Sequence, residues 1–175
     1  HIVVAGSLLG VALHAGVSFP VGKVQTLRLF PMDFEEFLMA MGEEQLLKLM
    51  HSHDYELMNA FHEKLKDLLR QYYYVGGMPE VVKAFAENKL LNQVRSLQNE
   101  ILSNYASDFS KHAPSQEVPR IDMVWQSILG QLSKENKKFV YGVLKKGGRA
   151  KEFELAIQWL VDAGLVYKIT KVSKP

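Results

Sequence analysis

The residues best suited by type to bind phosphate are Gly22 and Lys23, which follow Gly16 in a glycine-containing loop. In a Walker A phosphate loop, four residues separate the first glycine from the final Gly-Lys pair, and a Ser or Thr follows to hold Mg²⁺. Here five residues separate the glycines and Val24 follows the lysine. A strand is predicted next, so no helix N-terminus would face the phosphates. The spacing therefore excludes a phosphate loop.

The sequence supports neither a metal site nor a nucleophilic catalytic residue. Histidine occurs six times, and the densest cluster, His51-Ser52-His53-Asp54, lacks the HExxH spacing and lies in a predicted turn between helices. We therefore predict no metal site. No serine stands in a Gly-x-Ser-x-Gly elbow, and the carboxylates occur mostly as pairs on predicted helix surfaces. With no cysteine, disulfide and thiol chemistry are excluded, and no catalytic centre can be assembled.

The length and the charge of the chain limit its domain organisation and its partners. The 175 residues, 47% hydrophobic and 23% charged, fit one compact domain or two small ones. No apolar run is long enough to span a membrane. Residues 1–133 carry 11 Lys/Arg against 15 Asp/Glu, whereas residues 134–175 carry 10 against 4. This asymmetry predicts two modules with different partners, and plain solvation by lysine is the equal alternative.

The first 30 residues predict a small α/β piece. Residues 2–5 form a continuous apolar run that is typical of a buried parallel strand, and residues 24–29 alternate like a second strand. Two strands do not make a stable sheet, and His1 begins within the first strand without a start methionine. We therefore expect a fragment of a longer protein. Nothing resembles a secretory signal, and we expect a cytoplasmic location.

From residue 31 onward the pattern predicts helices. The predicted spans are residues 34–41 (capped by Asp33), 43–50, 55–74 (capped by Asp54), 79–86, 89–110 and 121–132, the last after a loop that holds Pro114 and Pro119. Pro79 opens its helix at a favoured first-turn position. The apolar stripe of residues 55–74 consists of Leu57, Phe61, Leu65, Leu68 and Tyr72, and that of residues 89–110 of Val94, Leu97, Ile101 and Tyr105. We also expect Met39, Met41 and Met50 in the core.

The last forty residues follow a different order. Residues 136–144 predict a helix that ends at a basic turn, and residues 150–163 predict a second helix, which Gly164 caps and which buries Phe153, Ile157, Leu160 and Val161. Residues 165–170 predict a strand. Helix, turn, helix, glycine and strand is the order of a winged helix. Lys145, Lys146, Arg149 and Lys151 would then contact nucleic-acid phosphates.

Specific strings occur in a family order: residues 4–9 (VAGSLL), 18–24 (SFPVGKV), 29–38 (LFPMDFEEFL), 74–82 (YVGGMPEVV) and 131–175. In these the chain resembles a large prokaryotic group of predicted AAA+ ATPases whose core is followed by a domain of unknown function. The resemblance implies that Ser7 ends the sensor-1 strand, where a polar side chain orients the attacking water. It implies that Gly77-Met78-Pro79 is the Gly-x-Pro lid motif beside adenine. The resemblance places Lys23 where many relatives have an arginine, and we expect a cation there to contact the phosphates of the nucleotide.

The same resemblance implies parts that this sequence lacks, namely the Walker A and Walker B motifs and a later nuclease-like segment. It therefore implies a mainly α fold with an α/β core remnant at residues 1–30, a helical lid at residues 31–112 and a winged-helix-like domain at residues 113–175. We expect ATP and Mg²⁺ to bind only the full-length protein, and this fragment alone to be inactive. Two non-enzymatic alternatives stay open: DNA binding by the winged helix, and a protein-docking or homo-oligomer module built around Trp125 and Trp159.

Overall fold

The computed structural model describes residues 3, 6, 23, 25, 27–136 and 138–170. These residues are mainly α-helical, as predicted, and the described part contains no β-strand. The helices are α1 (Phe34–Ala40), α2 (Glu44–Ser52), α3 (Tyr55–Ala60), α4 (His62–Val75), α5 (Pro79–Asn88), α6 (Leu91–His112), α7 (Val118–Leu132) and α8 (Ala150–Asp162), with a 3₁₀ turn at Tyr141–Val143. None of these described helices is long and apolar enough to cross a membrane.

The chain divides into two compact units, with a boundary between Ser103 and Asn104. We call the described residues 27–103 the first unit, and the described residues 104–136 and 138–170 the second unit. The predicted division into residues 1–30, 31–112 and 113–175 stays a prediction. The predicted first strand and short helix of the α/β piece fall largely outside the described residues. Of the second predicted strand, Gln25 and residues 27–29 are described, and they form no regular secondary structure.

The first unit begins with a capped helix. The Asp33 carboxylate accepts a hydrogen bond from the Glu36 backbone N–H at 2.9 Å, and the Glu36 carboxylate accepts one from the Asp33 N–H at 2.9 Å. This capping box satisfies two backbone donors that the first turn of α1 would otherwise leave unpaired. The helix presents Phe37 and Leu38 to two apolar clusters, and both side chains are fully buried.

The predicted single helix over residues 55–74 is two helices, α3 and α4, that meet at Phe61. Phe61 leaves helical geometry, with φ −100° and ψ 9°. As a result, the stripe predicted for one helix does not face one core: Leu57 and Phe61 are exposed, whereas Leu68 is buried. Neither glycine nor proline marks the break, so the apolar spacing alone did not reveal it.

Methionine placement in the first unit is mixed. Met41 packs against the cluster around Phe37, and Met50 packs against the cluster around Leu38. Met39, which was also expected in the core, is 48% exposed. It lies on the outer face of α1, next to two fully buried neighbours in sequence.

The core of the second unit is built around Phe109. Trp125 and Trp159 each present their ring edge-on to Phe109, with ring centroids 5.5 Å apart in both pairs. Offset and edge-to-face aromatic pairs of this kind add to the burial of apolar surface. Phe153 and Leu160 of α8 are buried here as predicted, together with Ala156. Ile157 packs at the margin of the cluster, and Val161 is half-buried.

Three details of the second unit differ from the sequence prediction. Residues 136–144 do not form a helix: the described residues there contain only the 3₁₀ turn at Tyr141–Val143. Residues 165–170 do not form a strand, because the described residues supply no second strand for backbone pairing. Pro119 lies in the first turn of α7 rather than in a loop, since a missing N–H costs nothing at that position. The finer winged-helix assignment therefore lacks its predicted strand.

Candidate functional site

The segment Gly76-Gly77-Met78-Pro79 forms a tight turn between α4 and α5. Gly76 ends α4 with φ +76°, a left-handed geometry that glycine adopts readily, and its N–H donates to Tyr72 O at 2.7 Å. Pro79 then occupies the first turn of α5, as predicted. Three residues therefore connect α4 to α5, and the Gly76 N–H is paired.

The turn is fixed against the segment that precedes α1. The Met32 N–H donates to Gly77 O at 2.7 Å, and the Tyr72 hydroxyl donates to Met32 O at 2.9 Å. A Cβ atom on Gly77 would lie only 2.1 Å from Met32 O and 2.9 Å from Met32 N. Only glycine permits this approach, because both obstructing atoms belong to the backbone. The Gly77-Met78-Pro79 motif is therefore held against Met32, just before α1.

Gln98 of α6 supports the same turn from the other side. Its side-chain Nε2 donates to Tyr74 O at 2.8 Å and to Val75 O at 3.1 Å. Those two carbonyls belong to the last turn of α4, which has no intrahelical donors for them. Arg95, one turn earlier on α6, places its guanidinium 5.5 Å from the Tyr74 ring centroid. Two side chains of α6 therefore contact the C-terminal end of α4.

The adjacent tyrosines divide between core and surface. Tyr72 packs on Phe37 at 5.5 Å and on Phe34 at 5.7 Å between ring centroids. Tyr73 is 75% exposed, and Tyr74 contacts Arg95. Two of the three rings therefore contact neighbouring side chains.

The four predicted nucleic-acid contacts lie close together in the sequence of the second unit: three are in the turn before α8, and Lys151 is in the first turn of α8, and we call residues 145–151 the basic turn. Lys145, Lys146, Arg149 and Lys151 are all exposed, and Arg149 is the N-cap residue of α8. Among the described residues only Lys145 of these four has a carboxylate within ion-pairing distance, Glu152 at 3.7 Å. The turn therefore presents at least three cations, next to the N-terminus of a 13-residue helix. Both features attract anions.

Buried contacts hold the basic turn in place. A Cβ atom on Gly148 would lie 2.9 Å from Lys145 O and 3.0 Å from Tyr141 O, so the chain closes tightly here. The Gly148 N–H donates to Lys145 O at 2.8 Å. Upstream, the buried Gln131 side chain accepts from the Val140 N–H at 2.5 Å and ties residues 138–140 to the end of α7. Close backbone contacts therefore favour glycine at position 148, and they fix the backbone that carries the lysines of the turn.

The other predicted residues are placed as follows. Ser7 lies outside the described residues, and Lys23 is an exposed residue in a bend, so both roles stay predictions. His51 lies 3.1 Å from Glu35, and in the described part of the chain no three His, Asp or Glu side chains group as metal ligands do. Trp125 and Trp159 contribute to the core around Phe109, which favours a core role for them over an interface role.

Sequence reasoning missed two polar side chains that organise these turns. Gln131 occupies the position that continues the apolar spacing of Ile121, Val124 and Ile128, and a glutamine in that register is a signal for a buried hydrogen bond. Gln98 carries no such signal, because it lies one residue after Leu97 and therefore outside the apolar stripe of α6. Its role depends on where α4 ends, which the sequence does not specify.

Comparison with known proteins gives one family. A family model with the description "Domain of unknown function (DUF8612)" matches residues 66–175, from the middle of α4 to the last residue. No curated protein matches the chain. No solved structure matches it either.

Proposed function

The chain belongs to the DUF8612 family, a domain of unknown function, and we propose that it is the lid and C-terminal module of an AAA+-type ATPase. In this role the first unit responds to nucleotide bound by a preceding α/β core. The second unit passes that response to a partner. The 175 residues contain neither a Walker A lysine nor a Walker B acid. Because phosphoryl transfer needs those groups and their Mg²⁺, no step of hydrolysis is assigned to this chain.

The observation that supports this proposal best is the seat of the Gly77 turn. Its backbone contacts Met32, two residues after the predicted end of the nucleotide core. A movement of the chain at residues 30–32 is therefore transmitted directly to Gly77, Pro79 and the start of α5. The resemblance assigns the Gly-x-Pro motif to the adenine side of the lid, and a lid needs such a rigid link to the core that it covers.

The test is ATP binding by the full-length protein, measured with a fluorescent ATP analogue. We expect a Walker A and a Walker B sequence upstream of His1, and loss of binding when the Walker lysine is replaced. Pro79→Ala should weaken binding by about fivefold, as expected when contacts worth about 1 kcal/mol are lost. Pro119→Ala is the matched control, since Pro119 also lies in the first turn of a helix and belongs to the second unit.

Two results would contradict the proposal. One is a gene that encodes no P-loop before His1. The other is an equal change in ATP affinity for Pro79→Ala and Pro119→Ala, because a lid role distinguishes the two prolines and a general effect on helix starts does not. Thermal unfolding of both variants checks that each is folded.

A second candidate function is nucleic-acid binding by the basic turn. It is favoured by the exposed side chains of Lys146, Arg149 and Lys151, which stand together without a carboxylate partner in the described residues. Exposed cations of this kind bind phosphates by releasing counterions, and the affinity then falls steeply with salt. The turn is fixed by Gly148 and by Gln131, so the cations are presented by an ordered backbone.

Titration of labelled duplex DNA at about 50 mM and about 200 mM salt tests this second function. The triple variant K146Q/R149Q/K151Q should weaken binding at low salt and reduce the salt slope by up to about 3, one for each lost phosphate contact. The control variant K48Q/R70Q/K83Q removes three exposed cations of the first unit and should leave the slope unchanged. Absence of binding at low salt, or an equal loss in both variants, would exclude a specific role for the turn.

A further inference from the structure

One cation of the basic turn is paired with a carboxylate of α8. Lys145 Nζ lies 3.7 Å from a carboxylate oxygen of Glu152, and both side chains are exposed. In the part of the chain that the structure describes, no carboxylate lies within ion-pairing distance of Lys146, Arg149 or Lys151. Glu152 therefore acts on one of the four cations and leaves the other three as they are.

Glu152 also lies where a helix favours negative charge. It is the acidic residue in the first turn of α8, a helix of 13 residues. Arg149, the N-cap residue, makes no capping hydrogen bond with its side chain. Because the N-terminus of a helix carries partial positive charge, a carboxylate in the first turn is stabilised there. The carboxylate thus interacts favourably both with Lys145 and with the start of the helix.

A nucleic-acid phosphate would be attracted by the same two groups. Phosphates bind lysine side chains with release of counterions, and they are also attracted to helix N-termini. In the structure, Lys145 already has an anion beside it, and the first turn of α8 already carries a negative charge. Glu152 therefore competes with any phosphate that approaches Lys145.

The ion pair is easy to open without loss of the turn. An exposed ion pair contributes little to stability, because water screens the two charges and two long side chains lose conformational freedom when they pair. The backbone of the turn is closed by another contact, since the Gly148 N–H donates to Lys145 O at 2.8 Å. Separation of Glu152 from Lys145 therefore exposes a cation on a backbone that stays in place.

We propose that Glu152 restrains nucleic-acid binding by the basic turn, because its carboxylate occupies Lys145 and repels phosphate. This inference rests on the nucleic-acid binding proposed above for that turn. Lys146, Arg149 and Lys151 bind phosphates first, and Lys145 contributes only when its carboxylate partner is displaced. Glu152 itself makes no contact with the nucleic acid in this role. It determines how tightly the turn binds and how strongly the binding depends on salt.

Titration of labelled duplex DNA with the 175-residue chain, between about 50 mM and about 200 mM salt, provides the test. E152Q removes the charge and keeps the size of the side chain, and it should tighten binding at low salt about fivefold, equivalent to about 1 kcal/mol. The salt slope should steepen by about 1, because Lys145 becomes available to one more phosphate.

E154Q is the matched control for the loss of one negative charge. Glu154 is an exposed residue of the same helix, and it has no cation within ion-pairing distance among the residues that the structure describes. E154Q should therefore change the affinity much less than E152Q does, and it should leave the salt slope unchanged. Thermal unfolding of each variant checks that it is folded.

Lys145 provides a second measurement, which does not depend on the folding of E152Q. In the otherwise unsubstituted chain, K145Q should weaken binding less than K146Q does, because Lys145 is already paired and Lys146 is not. In the E152Q background, K145Q should remove most of the added affinity and of the added slope. Such non-additivity is expected when two side chains act through each other.

The results distinguish this inference from the function on which it rests. Absence of binding at low salt, both by the unsubstituted chain and by E152Q, would exclude nucleic-acid binding by the turn and the inference with it. If the unsubstituted chain binds, equal affinities of E152Q and E154Q would overturn the restraint by Glu152 alone. A loss in K145Q as large as that in K146Q would overturn it too. Weaker binding by E152Q would also overturn it, since the ion pair would then present Lys145 to phosphate.

Discussion

Gly77 is the residue at which one added methyl group should do most harm to the first unit. We expect Gly77→Ala to lower the free energy of unfolding by about 2–3 kcal/mol, because the new Cβ would overlap backbone atoms of Met32 rather than a mobile side chain. Urea unfolding measures the loss. Gly42→Ala is the control in the same unit: its φ is +76° but the space around it is open, so the strain costs about 1 kcal/mol. A loss in Gly77→Ala no larger than that in Gly42→Ala would show that the close approach to Met32 does not make glycine necessary at position 77.

Glu63 gives a second prediction at the scale of one residue. The hydrogen bond from Lys66, at 2.6 Å, is the main cause that lowers the pKa of Glu63 below its ordinary value, and Arg70 adds a weaker Coulombic effect. Lys66→Gln should therefore raise this pKa, and Arg70→Gln should raise it less, as followed by ¹³C NMR of the Glu63 carboxyl group. Because the folded pKa lies below the unfolded one, the pair stabilises the fold above the ordinary glutamate pKa and loses this effect as the pH falls through the lowered value. A larger response to Arg70→Gln would contradict this ranking.

At the scale of elements, the closing of helix ends decides where the chain turns. Gln98→Leu should destabilise the first unit by about 0.5–1.5 kcal/mol, because it removes the donor to the Tyr74 and Val75 carbonyls at the end of α4. Denaturant unfolding and the hydrogen-exchange rate of the Gly76 amide both report it. Gln93→Leu on the same helix is the control. Its side chain pairs with Asn88 on the exposed surface, so it should change stability by no more than about 0.5 kcal/mol. A comparable loss in Gln93→Leu would remove the special role of Gln98.

Most helices could be predicted from the sequence because their signals are local. Asp33 and Asp54 cap their helices as expected, and Pro79 opens α5. The break at Phe61 is different: the apolar spacing runs through it, and only packing separates the exposed Leu57 from the buried Leu68. Tertiary contacts, rather than the apolar periodicity, therefore determine which residues on either side of this break are buried.

The candidate sites follow the same division. The glycines and lysines of the two turns stand next to one another in sequence, so their grouping could be predicted. Gln98 lies 24 and 23 positions from the two residues whose carbonyls it binds, and Val140 lies 9 positions from Gln131. Likewise, the ion pair between Lys145 and Glu152 joins the turn before α8 to the first turn of that helix. Such placements depend on the packed structure, and a single sequence does not encode them in any local pattern.

At the scale of the whole molecule, charge and packing both divide the chain, but the charge balance changes after residue 133, within the second unit, and the packing boundary lies between Ser103 and Asn104. The acidic excess lies in residues 1–133 and the basic excess in residues 134–175, which include the fixed turn before α8. The apolar clusters around Phe37 and Leu38 draw their members from the first unit, and the cluster around Phe109 draws its members from the second. Separate cores are compatible with the proposal that the first unit responds to nucleotide and the second unit binds a partner.

Separate cores predict separate responses to mutation. Phe37→Ala and Phe109→Ala each remove a fully buried ring, one from each unit, and each should cost its own unit about 3–5 kcal/mol. Residue-resolved hydrogen exchange distinguishes them: Phe37→Ala should speed exchange in residues 27–103, and Phe109→Ala in residues 104–170. Amides in the two parts of α6 should divide at the unit boundary between Ser103 and Asn104. If either substitution speeds exchange equally on both sides of that boundary, the chain unfolds as one cooperative body, since local stabilities in a single body would fall together.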